Sequence, residues 1–213
     1  MLYSFTSEAT LSQLTFAQPK LILASGSPRR AEILQAVGWP FEIAVSGIDE
    51  ARLAGEDPVS YVQRLARSKA ESVAAHLEHG LVLGADTTVI VDDELLGQPR
   101  DADDAERMLT LLSGKWHEVL TGVALVVAGN PARMLVDFEK TRVRFAEMST
   151  AEIGWYLSTG EATGKAGAYG IQGKAGLFIE EIEGDYFNIV GLPIRLVYKM
   201  AKRSNLVPSH RRY

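Results

Sequence analysis

A short apolar segment, Lys20-Leu21-Ile22-Leu23-Ala24, runs straight into Ser25-Gly26-Ser27-Pro28-Arg29-Arg30 and then into a helical pattern. The segment reads as a buried strand. Ser27 fits a helix N-cap and Pro28 the first helical position. Ile33, Leu34 and Val37 form the apolar stripe of that helix. At about 100° per residue, Arg30 projects onto the same stripe and Arg29 lies near its edge. The succession asks for a fold in which strands and helices alternate, and it puts a cation where the pattern calls for an apolar side chain. Orphan backbone N–H groups and the helix dipole favour negative charge at the same place, so phosphate is the natural guest.

The rest of the chain sustains the alternation. Residues 41–45 alternate like a half-buried strand. Asp57-Pro58 opens a long helix reaching about Leu77, with Val62, Leu65, Ala66, Val73 and Leu77 on its buried face. Residues 81–85 and 88–91 are β-rich on either side of an aspartate. A helix over 101–112 sets Ala102, Ala105, Met108, Leu109 and Leu112 on one face, and Ser113-Gly114 stops it. Residues 119–128 and 133–145 have strand composition, with Gly129-Asn130-Pro131 as a hairpin connection. A short helix (150–158), a glycine-rich loop (164–176), a strand (177–182), a turn at Glu183-Gly184-Asp185 and a helix from Pro193 to about Lys202 follow. This order predicts an α/β fold with a mixed sheet. The expected domain spans 19–202, after an N-terminal extension (1–18) and before a polar tail (203–213).

Length and composition narrow the function. At 213 residues the chain suits one large domain or two small lobes. It has no cysteine, which excludes disulfides, thiolate metal sites and a cysteine nucleophile. A formal net charge of −5 argues against general nucleic-acid binding, though not against a local basic pocket for one nucleotide. No apolar run approaches the ~18 residues of a membrane span. The first residues lack a basic stretch followed by a long apolar one, so no signal peptide is expected and the cytoplasm is the expected location. The four histidines show no metal-ligand spacing.

Four features carry candidate chemistry. Lys69 projects onto the middle of the apolar face of the helix after Pro58, where an unpartnered ammonium is expensive. It is either a lysine snorkelling from the helix edge or one aimed at a phosphate or carboxylate in a cleft. Asp86 interrupts the apolar β region. It caps a turn or bulge there, or it is a metal ligand or general base held between strands. Asp49 and Glu50 follow a strand, as a solvated acidic loop or as hard oxygen ligands for a cation shared with phosphate. The glycine loop contains Lys165, Tyr169 and Gln172, and a Gln172 amide not left in water could read a base edge with both donor and acceptor.

Together these segments resemble one family. Leu23-Ala24-Ser25-Gly26-Ser27-Pro28-Arg29-Arg30, Gly84-Ala85-Asp86-Thr87, Thr121-Gly122-Val123, Ala168-Tyr169-Gly170-Ile171-Gln172-Gly173 and Val190-Gly191-Leu192-Pro193 are similar to the motifs of the Maf nucleoside triphosphate pyrophosphatases. The resemblance runs in order over roughly residues 20–200 and is nearest to the branch acting on dTTP and UTP. It implies an α/β fold of the Maf/inosine-triphosphatase type, with a long twisted mixed sheet and two lobes around a cleft. It implies hydrolysis of the α–β phosphoanhydride of a pyrimidine nucleoside triphosphate with a divalent cation, Mg²⁺ or Mn²⁺. By motif position Asp86 is the proton acceptor, and Arg29, Thr87 and Gln172 are substrate-specificity positions. Ser25, Arg30, Lys69 and Lys165 are implied for phosphate, and Glu50 with Asp86 for the metal. The family leaves room for a homodimer and, as an alternative function, for septum inhibition by partner binding with weak catalysis. Two positions depart from the pattern. Gln98 stands where the family commonly has lysine, and Gly164 where it commonly has aspartate. Both bear on efficiency more than on reaction type.

Overall fold

The computed structural model describes residues 20–129 and 133–203. The expected extension (1–18), most of the polar tail and the Asn130-Pro131 part of the hairpin connection lie outside the described residues. The elements, in order, are β1 (Leu21–Leu23), α1 (Pro28–Ala36), β2 (Phe41–Ile43), α2 (Pro58–Ala74), β3 (Gly80–Val91), β4 (Glu94–Leu96), α3 (Ala102–Leu112), β5 (Trp116–Ala128), β6 (Arg133–Phe145), α4 (Thr150–Ser158), β7 (Ile179–Glu183), α5 (Tyr186–Val190) and α6 (Ile194–Arg203). They build one seven-stranded mixed sheet in the order β2-β1-β3-β5-β6-β7, with β4 also pairing β3. The α/β expectation holds. β1 runs parallel to both β2 and β3, as helical crossovers require, and the other pairings are antiparallel.

β3, β5 and β6 are 12, 13 and 13 residues long, about 40 Å of strand each. They serve as a spine for two separate apolar clusters on one face. Toward one end, Leu21, Leu23, Leu34, Leu83, Leu125 and Val197 join β1, α1 and α6 to the spine. Toward the other, Val89, Val91, Met108, Val119, Phe145 and Tyr156 join it to α3 and α4. Side chains alternate between faces along a strand. Ala85 belongs to the first cluster and Val89 to the second, so Thr87 lies on the seam between them. On the opposite face Val82 packs under α2 with Ala66, Ala70 and Ala124, and Asp86 shares that parity.

α2 can lie very close to the sheet because two sheet residues facing it are glycines. A Cβ on Gly84 would stand 2.1 Å from the Ala66 carbonyl oxygen, and one on Gly122 would stand 2.2 Å from that of Val62. Asp57 caps the helix by accepting from the Val59 and Ser60 amides, and Pro58 starts it.

Several local expectations change. β3 is one unbroken strand through Asp86, because its ladder to β5 uses backbone groups alone. That removes the turn-or-bulge reading. Val37 leaves the buried stripe of α1, since it is the C-cap residue and 42% exposed. On α3 Ala102 is exposed and Asp104 is buried instead, held by Arg100 and Arg107. The strand expected at 177–182 begins at Ile179, and the preceding residues form a 3₁₀ turn, Lys174–Phe178. The short elements β4 and α5 carry too little pattern to be legible in advance.

Candidate active site

The outer edge of β3 is covered by β1 at Leu81–Leu83 and by β4 at Val89–Val91. Between these pairings, Gly84 to Thr88 have a strand partner only on the β5 side. A cleft of about 930 Å³ opens at this gap. Asp86 and Thr87 project from it on alternate faces, the loop before α1 closes one side and the glycine loop the other. Ser25, Arg29 and Arg30, then Glu50 and Lys69, then Lys165 and Gln172 all line this cleft, with Asp86 and Thr87 at its floor. The structure therefore brings together every site residue expected from the sequence.

The centre is an ion pair. Lys69 Nζ donates to Asp86 Oδ1 at 2.7 Å and stands 2.9 Å from Glu50 Oε1. Lys69 and Asp86 are each 7% exposed. Lys69 is thus aimed at carboxylates and does not snorkel. Burial pushes the Asp86 carboxyl above its ordinary range, opposed by Lys69 and Arg30. A carboxylate raised in this way is a better proton acceptor than one in water.

Arg30 is buried and organises the seam. Its Nε donates to the Gly191 carbonyl at 2.8 Å, Nη1 to Ser25 Oγ at 2.9 Å and Nη2 to Thr87 Oγ1 at 3.2 Å. One N–H on each terminal nitrogen remains for a ligand. Ser25 Oγ accepts from both Arg30 and the Ser27 amide, which leaves its own proton to donate. Thr121 donates to the Asn188 carbonyl at 3.1 Å and lies 3.0 Å from Thr87 Oγ1. With the Thr121 proton so engaged, Thr87 donates to Thr121. A directed chain runs Arg30, Thr87, Thr121, Asn188 and ties the α1 loop, β3, β5 and α5 into one unit.

The glycine loop is built differently. Arg29 Nη2 donates to the Gly164 carbonyl at 3.2 Å, and Lys165 Nζ donates to the Glu161 carbonyl. Neither cation forms an ion pair among the described residues. Burial, then the nearby Arg29 charge, lowers the Lys165 ammonium below its usual value, so an anion between them would be welcome. Gln172 is exposed. Gln98 and Gly164, the two departures, also line the cleft. Gly164 has φ +68° with open space where a Cβ would be. The loop is anchored at Tyr169, whose hydroxyl lies 2.8 Å from His117 Nε2 in the core.

Two carboxylates at one spot offer hard oxygen ligands of the kind that hold Mg²⁺ or Mn²⁺ together with substrate phosphates. Among the described residues no group of three or more metal-ligating side chains exists, so such a cation would complete its shell with phosphate oxygens and water. Sequence reasoning missed Thr121's link to Thr87, His117 beneath Tyr169, and Tyr61, which lines the cleft and donates to the Glu50 carbonyl at 3.2 Å. Tyr61 lies on the i, i+4, i+8 row that leads to Lys69, a signal available in the sequence.

Residues 20–204 match the family model described as Maf-like protein. A dTTP/UTP pyrophosphatase of Symbiobacterium thermophilum is 51% identical over 85% of this chain and 92% of its own length. That of Koribacter versatilis is 50% identical over 88% of this chain and 95% of its own. Among solved structures, the Ham1 protein of Staphylococcus aureus overlays with a TM-score of 0.43 at 12% identity, covering 60% of this chain and 72% of that one.

Proposed function

The chain belongs to the Maf family, and from that premise we propose that it hydrolyses dTTP and UTP to the nucleoside monophosphate and pyrophosphate. It is a hydrolase of phosphoanhydride bonds. The observation that carries the chemistry is the Lys69–Asp86 pair at the floor of a cleft. Asp86 uses one oxygen for Lys69. Its Oδ2 has no hydrogen-bond donor among the described residues and is left to take the proton of a water attacking the α-phosphorus. A divalent cation held by Glu50 and Asp86 would neutralise phosphate charge and help orient that water. Lys69, the remaining Arg30 donors, Arg29 and Lys165 stabilise charge on the phosphoryl oxygens and the leaving pyrophosphate, and Ser25 donates to the same group. Thr87 and Gln172 select the base, with Arg29. Among the described residues no helix is long and apolar enough to cross a membrane, and we place the chain in the cytoplasm with its nucleotide substrate. No observation favours partner binding as the main activity.

The test is pyrophosphate release from a panel of nucleoside triphosphates, with and without Mg²⁺, for the wild type and Asp86→Asn. Metal-dependent turnover favouring dTTP and UTP is expected. Asp86→Asn should lose about 10²- to 10⁴-fold in kcat, the usual worth of a general base, while the protein stays folded at the assay temperature. Near-full activity in the variant would overturn the role of Asp86.

A further inference from the structure

The two candidate metal-binding carboxylates reach Lys69 from unlike settings. Asp86 is fixed in the middle of a long strand. Glu50 lies in the stretch between Ile43 and Pro58, which has neither helix nor strand, and its side chain is 55% exposed. Something else must hold Glu50 within 2.9 Å of Lys69. The structure supplies it from α2, the helix that carries Lys69. Tyr61 Oη donates to the Glu50 carbonyl at 3.2 Å, and Arg64 Nη2 donates to the next carbonyl, Ala51, at 3.0 Å. One turn apart on α2, these two side chains grip consecutive backbone oxygens of the loop.

Arg64 is itself locked. Its Nε meets Glu56 Oε1 at 2.6 Å and its Nη2 meets Oε2 at 2.9 Å, a two-point fork. The Glu56 side chain is only 8% exposed although it sits in a loop that is otherwise open to solvent. Glu56 also closes the loop on itself. Its Oε2 accepts from the Leu53 amide at 3.2 Å, and its carbonyl accepts from Arg52 Nε at 3.0 Å. A half-buried, forked ion pair in an otherwise exposed loop is more than surface charge requires, since exposed pairs contribute little.

We infer that Arg64, Glu56 and Tyr61 are positioning residues for Glu50. They fasten the loop to α2 so that Glu50 and Lys69 keep one mutual geometry. This rests on the role proposed above for Glu50. Lysine at position 64 keeps the charge but cannot make the fork and the Ala51 bond together.

The experiment is a double-mutant cycle of Arg64→Lys with Glu50→Gln in the steady-state assay, with hydrogen exchange on residues 44–57. Arg64→Lys alone should lose about 10- to 10²-fold in kcat/KM, the range expected when a site group drifts by an ångström. In the Glu50→Gln background the same change should cost less than about twofold, because its target is gone. Exchange over 44–57 should rise in Arg64→Lys while α2 stays protected. Tyr61→Phe, which removes only a hydroxyl, should follow the same coupling with a smaller loss. Additive losses, or unchanged exchange in the loop, would overturn the inference. If Glu50→Gln alone is fully active, the role of Glu50 fails instead, and the exchange data alone decide whether the clamp exists.

Discussion

The two walls of the cleft are made in opposite ways. On the β3 wall Lys69, Asp86 and Arg30 are buried and bonded: Lys69 to Asp86, with the more exposed Glu50 beside it, and Arg30 to Ser25, Thr87 and Gly191. On the glycine-loop wall Gln172 is exposed and Lys165 has no carboxylate partner in the loop beyond a backbone carbonyl. Preorganised charge stabilises a transition state because it need not reorganise during the reaction. Groups that choose among substrates must instead arrive with free donors and acceptors. On the roles proposed above, the difference separates the bond-breaking groups, with Thr87 beside them on the strand and Arg29 on the helix, from Gln172, the selecting side chain that the loop holds free.

The sharpest way to break this contrast is to loosen the rigid wall from beneath. Gly122 lies directly opposite Asp86 in the β3–β5 register. A Cβ there would meet the Val62 carbonyl oxygen at 2.2 Å and carbon at 2.4 Å, both backbone. α2 would have to lift, and Lys69 would move with it. Gly122→Ala is expected to cost at least about 3 kcal/mol, the upper range for overpacking, and to lower kcat in the surviving fold. Gly97, on the cleft's other margin, has nothing within 4 Å of its Cβ position. Gly97→Ala should stay within about 1 kcal/mol. Denaturant melts of the two variants check the pair, and equal costs would refute the close-packing account.

The loop wall has a buried anchor at Tyr169, and acid should release it. His117 is 2% exposed and meets the Tyr169 hydroxyl, with the Phe145 ring edge-on at 5.1 Å. Burial lowers its pKa from 6.5 to about 4, and its Nδ1 is buried without a hydrogen-bond partner among the described residues. The folded state therefore resists a proton that the unfolded chain takes up. The stability linked to His117 is complete above pH 6.5 and is lost as pH falls toward 4. Over that window the loss amounts to about 3 kcal/mol, since each pH unit between the two pKa values is worth ~1.4 kcal/mol. Urea melts between pH 7 and 5 should show a slope near one proton, flattened in His117→Phe. A slope unchanged in that variant would place the proton elsewhere.

How much of this was legible in the sequence follows a physical division. Arg30, Lys69 and Asp86 stood out because each breaks an apolar period, and such a violation is visible one residue at a time. The gap in the β3 edge was not visible, because it depends on where β1 stops and β4 begins, and β4 is three residues long. Nor was the Arg30–Gly191 bond, whose partners are 161 residues apart in the chain. Asp86 read as a candidate turn because side-chain polarity suggested a break, whereas the ladder to β5 is indifferent to side chains. On α3 the amphipathic pattern favoured Ala102, but Arg100 and Arg107 let Asp104 take the buried place. Local pattern finds the exceptional residue, and only topology finds what answers it.

The smallest expected effect is also the most specific. Gln172 makes no hydrogen bond to a described residue, and its amide offers two donors and an acceptor to the cleft. Removing it should leave the β3 wall intact. Gln172→Ala is expected to keep kcat for UTP within a few-fold and to raise KM. The proposed preference for dTTP and UTP over purine triphosphates should narrow about tenfold, near the ~1.4 kcal/mol that one base contact supplies. The melting temperature should not move, since exposed substitutions stay within about 0.5 kcal/mol. The readout is kcat/KM across the nucleotide panel. A parallel fall in kcat for every nucleotide would join Gln172 to the bond-breaking groups, and the division between the two walls would then be wrong at the residue where it is drawn most sharply.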